Sequence, residues 1–262
     1  MFLPRALGTL VLVALYGQNR RERKITERLA AAALESLLNA IDANDEQTGA
    51  HVRRVATYSI SLAEAAELDE PTVRSVERVA LFHDIGKIHE AIMDIVREPT
   101  SLSPEERQLL TMHPQRGAEV LQPLAEFYPD LAAGVLAHHE RWDGSGYPRG
   151  LRGKDIPLNA RVVAIGDTFD AITHTRRYRE GRSVDDAVRV IREGAGTQFD
   201  PRLARIFVSE PVLERVCMEA RQALRPRASG KRHARGPGER APDIKFRWRS
   251  ESPVQHAPDL PH

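Results

Sequence analysis

Five of the ten histidines fall where apolar residues recur at helical spacing. His51 begins a series with Val55, Tyr58 and Leu62, and His83 ends one that runs Val73, Val76, Ala80. Leu109 stands four residues before His113, and Leu131 and Val135 lead into the pair His138-His139. One imidazole on such a stripe is ordinarily a core histidine whose two ring nitrogens are satisfied by neighbours. Five in one chain have a simpler joint solution, because one cation accepts several lone pairs at once. Two aspartates sharpen this reading: Asp84, inside Leu-Phe-His-Asp-Ile-Gly-Lys, and Asp167, inside Ala-Ile-Gly-Asp-Thr-Phe-Asp-Ala. A carboxylate among apolar neighbours is costly unless paired or bound to a metal. Adjacent side chains on a helix point about 100° apart, so His83 and Asp84 can reach one site from neighbouring angles.

The set His51, His83, Asp84, His113, His138, His139 and Asp167 exceeds what a single ion needs. It suits two divalent cations with positions left for water, Asp84 giving one oxygen to each. Two such ions about 3.5–4 Å apart acidify a shared water and supply hydroxide near neutral pH. Mixed imidazole and carboxylate donors favour Fe or Mn, with Zn also compatible. The one cysteine, Cys217, excludes a disulfide framework and a cysteine-rich structural zinc site. Ligating histidines must be neutral, so activity is expected to fall below about pH 6.5.

The elements that must position these residues read as helices, and the expected class is all-α. Ile25, Leu29, Ala33, Leu37 and Ile41 recur every four residues, suggesting one face of a long helix over 20–43. Asp69 with Pro71, and Ser103 with Pro104, mark two helix starts by cap and first-turn proline. Residues 183–193 and 200–224 also read as helices. The valine-rich run 161–165 resembles a short strand but continues unbroken into 167–172, which predicts a helix.

The chain has 262 residues, 41% hydrophobic and 29% charged, a globular composition that excludes a collagen-like or wholly disordered chain. Its net charge of +1 is small for a dedicated polyanion binder, and nucleic acid is not an expected partner. Residues 225–262 carry nine Lys/Arg against four Asp/Glu, with six prolines, and read as a basic disordered tail. At the other end, residues 6–16 are uncharged and apolar, too short for the roughly 20 residues of a membrane span. An interfacial anchor, the stub of a membrane helix and the first turns of a packed helix all remain open for 1–19. The expected location is cytoplasmic, with contact to the inner membrane face as the alternative.

The series His51, His83-Asp84, Asp167 resembles the HD phosphohydrolase superfamily. With His113 and the string His-His-Glu-Arg-Trp-Asp-Gly-Ser-Gly-Tyr-Pro (138–148), it resembles the HD-GYP branch. The likeness runs from about 45 to 207. It includes Thr48, His113-Pro114, Ile156-Pro157-Leu158, Arg176 to Arg179 and Gln198-Phe199-Asp200-Pro201. The resemblance implies an HD-domain helical bundle extended by C-terminal helices, with a catalytic domain at 44–224. It implies a bacterial phosphodiesterase that linearises cyclic di-GMP to pGpG, with onward hydrolysis to GMP open. The seven residues above take the family's metal positions, with Asp84 as bridge. Lys87 takes the position beside the metals, to contact a phosphate oxygen or protonate the leaving group. Gly146, Tyr147 and Pro148 match the GYP triplet, a surface for substrate or a signalling partner, and Arg176 and Arg179 match the basic pair that meets the phosphates. Asp170, one turn after Asp167, is either a partner to a ligand or a surface carboxylate. Three departures stand out. Gln47 occupies the position of a third-metal glutamate, so two metals are expected; residues 88–102 keep only Pro99 of the usual pattern; and Arg177 replaces a proline. Another HD-type nucleotide phosphohydrolase and a non-catalytic cyclic-dinucleotide-binding module are the rival readings. The helix at 20–43 is a candidate homodimer seam.

Overall fold

Helix starts are where the sequence speaks most directly, and among the described residues polar caps begin four helices. In the computed structural model, which describes residues 3–88, 104–175 and 180–223, Asp45 accepts the Gln47 and Thr48 amides and opens a helix at Glu46. Asp69 does the same through Thr72 N, Ser183 through Asp186 N, and Asp200 through Arg202 N and Leu203 N. The elements in chain order are α1 (Leu3–Asn44), α2 (Glu46–Ala65), α3 (Glu70–Phe82), α4 (Pro104–Thr111), α5 (His113–Leu121), α6 (Pro129–Ala137), α7 (Leu158–Thr173), α8 (Val184–Glu193), α9 (Pro201–Phe207) and α10 (Glu210–Ala223). Short 3-10 turns cover Ile85–Ile88, Gln122–Leu124 and Gly153–Asp155. Among the described residues there is no strand, only an isolated bridge between Ala195 and Phe199, so the class is all-α. The run 161–165 lies inside α7, as its continuation predicts.

Three local expectations are corrected. Along α1 the buried residues are Ala30, Leu34, Leu38 and Ile41, whereas Ile25 and Leu29 are 57% and 63% exposed. A strict interval of four advances about 40° per step around a helix, so a stripe drawn from 25 to 41 turns through about 160°. The observed intervals of four, four and three keep one face. Residues 200–224 do not form one helix, because α9 ends at Phe207 and α10 begins at Glu210. Leu109 and His113 do not share a helix either, since the chain breaks at Met112 between α4 and α5.

The chain divides into two units, 1–37 with 241–262, and 38–240. In the first, the described part is the helical run of α1, and no helix among the described residues is long and apolar enough to cross a membrane. In the second, α2 packs against α3, α7 and α10, α6 packs on α3 and α5, and α5 lies on the Ile85–Ile88 turn. Val52, Val55 and Leu62 of α2 meet a core that includes Val76, Val79 and Ala80 of α3 and Val162, Ile165 and Phe169 of α7, all buried. Tyr58, Phe169 and Phe207 form an edge-to-face series with centroids 5.2 and 5.3 Å apart. Each such side chain contributes about 1.5–3 kcal/mol on full burial, which holds the helix ends described next in register. The basic tail 225–262, Pro99 and Arg176 to Arg179 lie outside the described residues.

Candidate metal centre

A helix C-terminus leaves its last carbonyls without an amide partner, and three histidines use those carbonyls. The chain turns after α3 at His83-Asp84, after α4 at Met112-His113 and after α6 at His138-His139. His83 ends α3 with helical backbone angles, φ −54° and ψ −34°, and Asp84 follows it directly, so both leave the same helix end toward one site. His83 Nδ1–H donates to Ala80 O at 2.7 Å, His113 Nδ1–H to Leu110 O at 2.6 Å and His138 Nδ1–H to Val135 O at 2.6 Å. The repeated bond puts the proton on Nδ1 and leaves each Nε2 lone pair free to bind a metal.

Those lone pairs converge. His113 Nε2 and His138 Nε2 lie 3.2 Å apart, and His83 Nε2 and Asp84 Oδ1 are buried without hydrogen-bond partners. Acceptors that face one another repel unless a cation lies among them, so the donor set fits a metal. Two trios form, each with ligand atoms within 4.8 Å of one another: His113, His138 and His139, and His51, His83 and Asp167. Asp84 stands between them. Its Oδ1 is 3.4 Å from His113 Nε2, and its Oδ2 is 3.5 Å from His83 Nε2 and 3.7 Å from His51 Nε2. Asp167 Oδ1 lies 3.4 Å from His51 Nε2. All seven sequence-derived candidates thus meet. Lys87 joins them, with Nζ 2.7 Å from Asp84 Oδ2. Gly86 lets that turn approach α5, since a Cβ there would lie 2.1 Å from His113 O.

The electrostatics are divided between the two trios. Burial pushes the His113 and His139 imidazoles down to about 4, helped by neighbouring cationic groups, and holds His138 well below the usual range. Burial acts the same way on His51, but hydrogen bonds and charge from Asp167 and Asp170 outweigh it and raise that group to about 9. Burial opposes ionisation of Asp84, yet Lys87 and the imidazoles keep its carboxyl well below the carboxylate range. The expected loss below pH 6.5 assumed ordinary imidazoles. Among these groups it is His51 that holds a proton at neutral pH when no cation competes.

The 138–148 string folds as a loop beside the centre. Gly146 fits because a Cβ would stand 2.3 Å from Arg141 N. Tyr147 lays its ring on His139 with centroids 4.9 Å apart, and its amide donates to His139 O at 3.3 Å. Pro148 is exposed. Gln198 O and Thr197 O accept the Trp142 and Asp143 amides, while Asp200 caps α9 and pairs with Arg161 at 2.8 Å, so the 198–201 string is a structural support. Two supporting residues, Glu140 and Arg54, are not singled out by the sequence, and Asp170 proves to be a partner to a ligand. Buried Glu140 accepts the Arg149 and Leu151 amides at 2.7 and 3.0 Å. Arg54 forks onto Asp170, which is buried rather than on the surface. The one-turn spacings 51–54 and 167–170 were the available signal for the latter; nothing local pointed to Glu140.

The HD domain family model matches residues 35–203. The chain is 36% identical over 215 residues to the cyclic di-GMP phosphodiesterase response regulator RpfG of Xanthomonas campestris, covering 81% of this chain and 54% of that protein. It is 35% identical over 175 residues to the 3'3'-cGAMP-specific phosphodiesterase 2 of Vibrio cholerae, covering 66% and 33%. The chain thus spans about a third to a half of these relatives. A solved structure of the HDG"Y"P protein Bd1817 of Bdellovibrio bacteriovorus shares the fold, with a TM-score of 0.55, 22% identity, and coverage of 72% of this chain and 64% of that one. The family model, which matches more than half of the chain, shows that the chain belongs to the HD domain family.

Proposed function

We propose that this chain is a metal-dependent phosphodiesterase that hydrolyses cyclic di-GMP to pGpG. The observation that carries the reading is Asp84, one carboxylate set between two trios of ligand atoms. The names of the relatives, which act on cyclic di-GMP or 3'3'-cGAMP, support the substrate class. His113, His138 and His139 would hold one divalent cation, His51, His83 and Asp167 the other, and Asp84 both. Bound there, such ions supply an acidified water and offset phosphoryl charge, with Fe or Mn the best match to the donors. Gln47 in place of a carboxylate keeps the proposed number at two.

The chain's own groups do the rest. Lys87 Nζ is placed beside the centre to bind a phosphate oxygen or give a proton to the departing 3′-oxygen. Burial, with the Asp84 and Asp167 charges, pushes the Tyr147 phenol up to about 12, so Oη keeps its proton and can donate to a phosphate oxygen. Gly146 and Pro148 shape the loop that carries it, and Arg176 and Arg179 meet the phosphates. The catalytic domain is assigned to 44–224, flanked by the helix 20–43 and the tail 225–262. The exposed Ile25 and Leu29 make α1 the proposed seam for a second copy. The 138–148 loop is the proposed contact for a signalling partner, and the proposed compartment is the cytoplasm, with the inner membrane face as the alternative.

The test is incubation of the purified chain, loaded with Fe(II) or Mn(II), with cyclic di-GMP and with 3'3'-cGAMP. Release of pGpG from cyclic di-GMP supports the proposal. Turnover of cGAMP or other nucleotides alone moves the specificity elsewhere in the superfamily, and tight binding without product makes the chain a regulatory module.

A further inference from the structure

Main-chain carbonyls three residues earlier in the chain orient His83, His113 and His138, and no substitution can remove such a contact. His51 is oriented by a side chain. Its Nδ1 donates to Asp170 Oδ2 at 2.7 Å, and Asp170 is 1% exposed. The same carboxylate accepts Arg54 Nε at 2.6 Å and Nη2 at 3.0 Å, and lies 3.1 Å from His174 Nδ1. Arg54 sits one turn beyond His51 on α2, and His174 directly follows α7. Asp170 therefore joins two elements and fixes one imidazole, and its contacts include none of the groups in the other trio.

We infer that Asp170 is a positioning residue that acts through His51, so that the cation position at His51, His83 and Asp167 can be emptied separately from the one at His113, His138 and His139. This rests on the two-cation reading above. A carboxylate behind a ligating imidazole fixes the ring and raises its basicity, and its loss weakens metal binding about 10–100-fold. Asn at 170 cannot serve the Arg54 fork and the His51 N–H with two oxygens. The loss should fall on one ion of the pair.

The experiment titrates the metal-free full chain with Mn(II) by calorimetry and follows spin coupling between the ions by paramagnetic resonance. The wild type should take up two ions that couple. Asp170→Asn should keep one at wild-type affinity, weaken the other about 10–100-fold and show the spectrum of an isolated ion. Arg54→Gln should shift the same ion in the same direction by less. His139→Ala should weaken the opposite position. Circular-dichroism melts accompany each variant; if Asp170→Asn does not fold, Arg54→Gln decides by the same criterion. Equal weakening of both ions, or of neither, at an unchanged melting temperature overturns the inference while the two-cation reading stands. A wild type that binds fewer than two Mn(II) overturns both.

Discussion

Replacing Glu140 by Ala should loosen the loop that lays Tyr147 against the metal centre. The carboxylate is 4% exposed and accepts two main-chain amides, Arg149 N at 2.7 Å and Leu151 N at 3.0 Å. A hydrogen bond to a charged acceptor has a net value of about 1.5–3 kcal/mol. Arg149 is itself exposed, so water can reach part of the gap, and the lower end of that range applies to each bond. The sum is about 3 kcal/mol. For a domain of this size each kcal/mol moves the midpoint by about 2–4 °C, so thermal unfolding should shift down by about 6–12 °C. Glu140→Gln discriminates further. Its amide oxygen keeps one bond, while its NH2 faces the other N–H donor to donor, so the variant should lose about half as much. Differential scanning calorimetry measures both midpoints, and product release at saturating and limiting substrate separates kcat from KM. A Glu140→Ala variant that melts with the wild type would refute the assignment of Glu140 as the loop's anchor.

Three other expectations follow from the geometry. Asp84→Asn removes the charge shared by both trios, so phosphodiesterase activity should drop at least about 100-fold; retention within about tenfold contradicts the bridging role. Gly146→Ala forces a Cβ to 2.3 Å from Arg141 N, which should cost about 1–3 kcal/mol in denaturant unfolding and raise KM through a displaced Tyr147; wild-type values for both would dismiss the steric argument. His51, raised to about 9 by Asp167 and Asp170 against the opposing effect of burial, carries a proton at pH 7 that a cation must displace. Metal uptake should therefore release about one proton there, and affinity should weaken about tenfold for each pH unit below 9. His113 and His139, near 4, are already neutral and release none. Calorimetry in buffers of different ionisation enthalpy reads the count, and zero release would show that His51 binds from the neutral state.

The helix starts at Asp69 and Ser183 could be read from the chain because a cap and the amide it satisfies are three residues apart. The seven ligand candidates could be named for a related reason. Imidazoles and carboxylates on apolar stripes are anomalous wherever they occur, so residue type and local periodicity suffice to nominate them. The stripe on α1 shows where that logic fails, since an interval of four looks regular in sequence and rotates off the face in space. Which oxygen of Asp84 meets which histidine, that His83, His113 and His138 rest on the ends of three separate helices, and that Glu140 and Asp170 stand behind the site depended on tertiary packing. Those contacts join residues up to 119 positions apart, as His51 to Asp170, and a ring's tautomer follows from whichever acceptor packing brings to it.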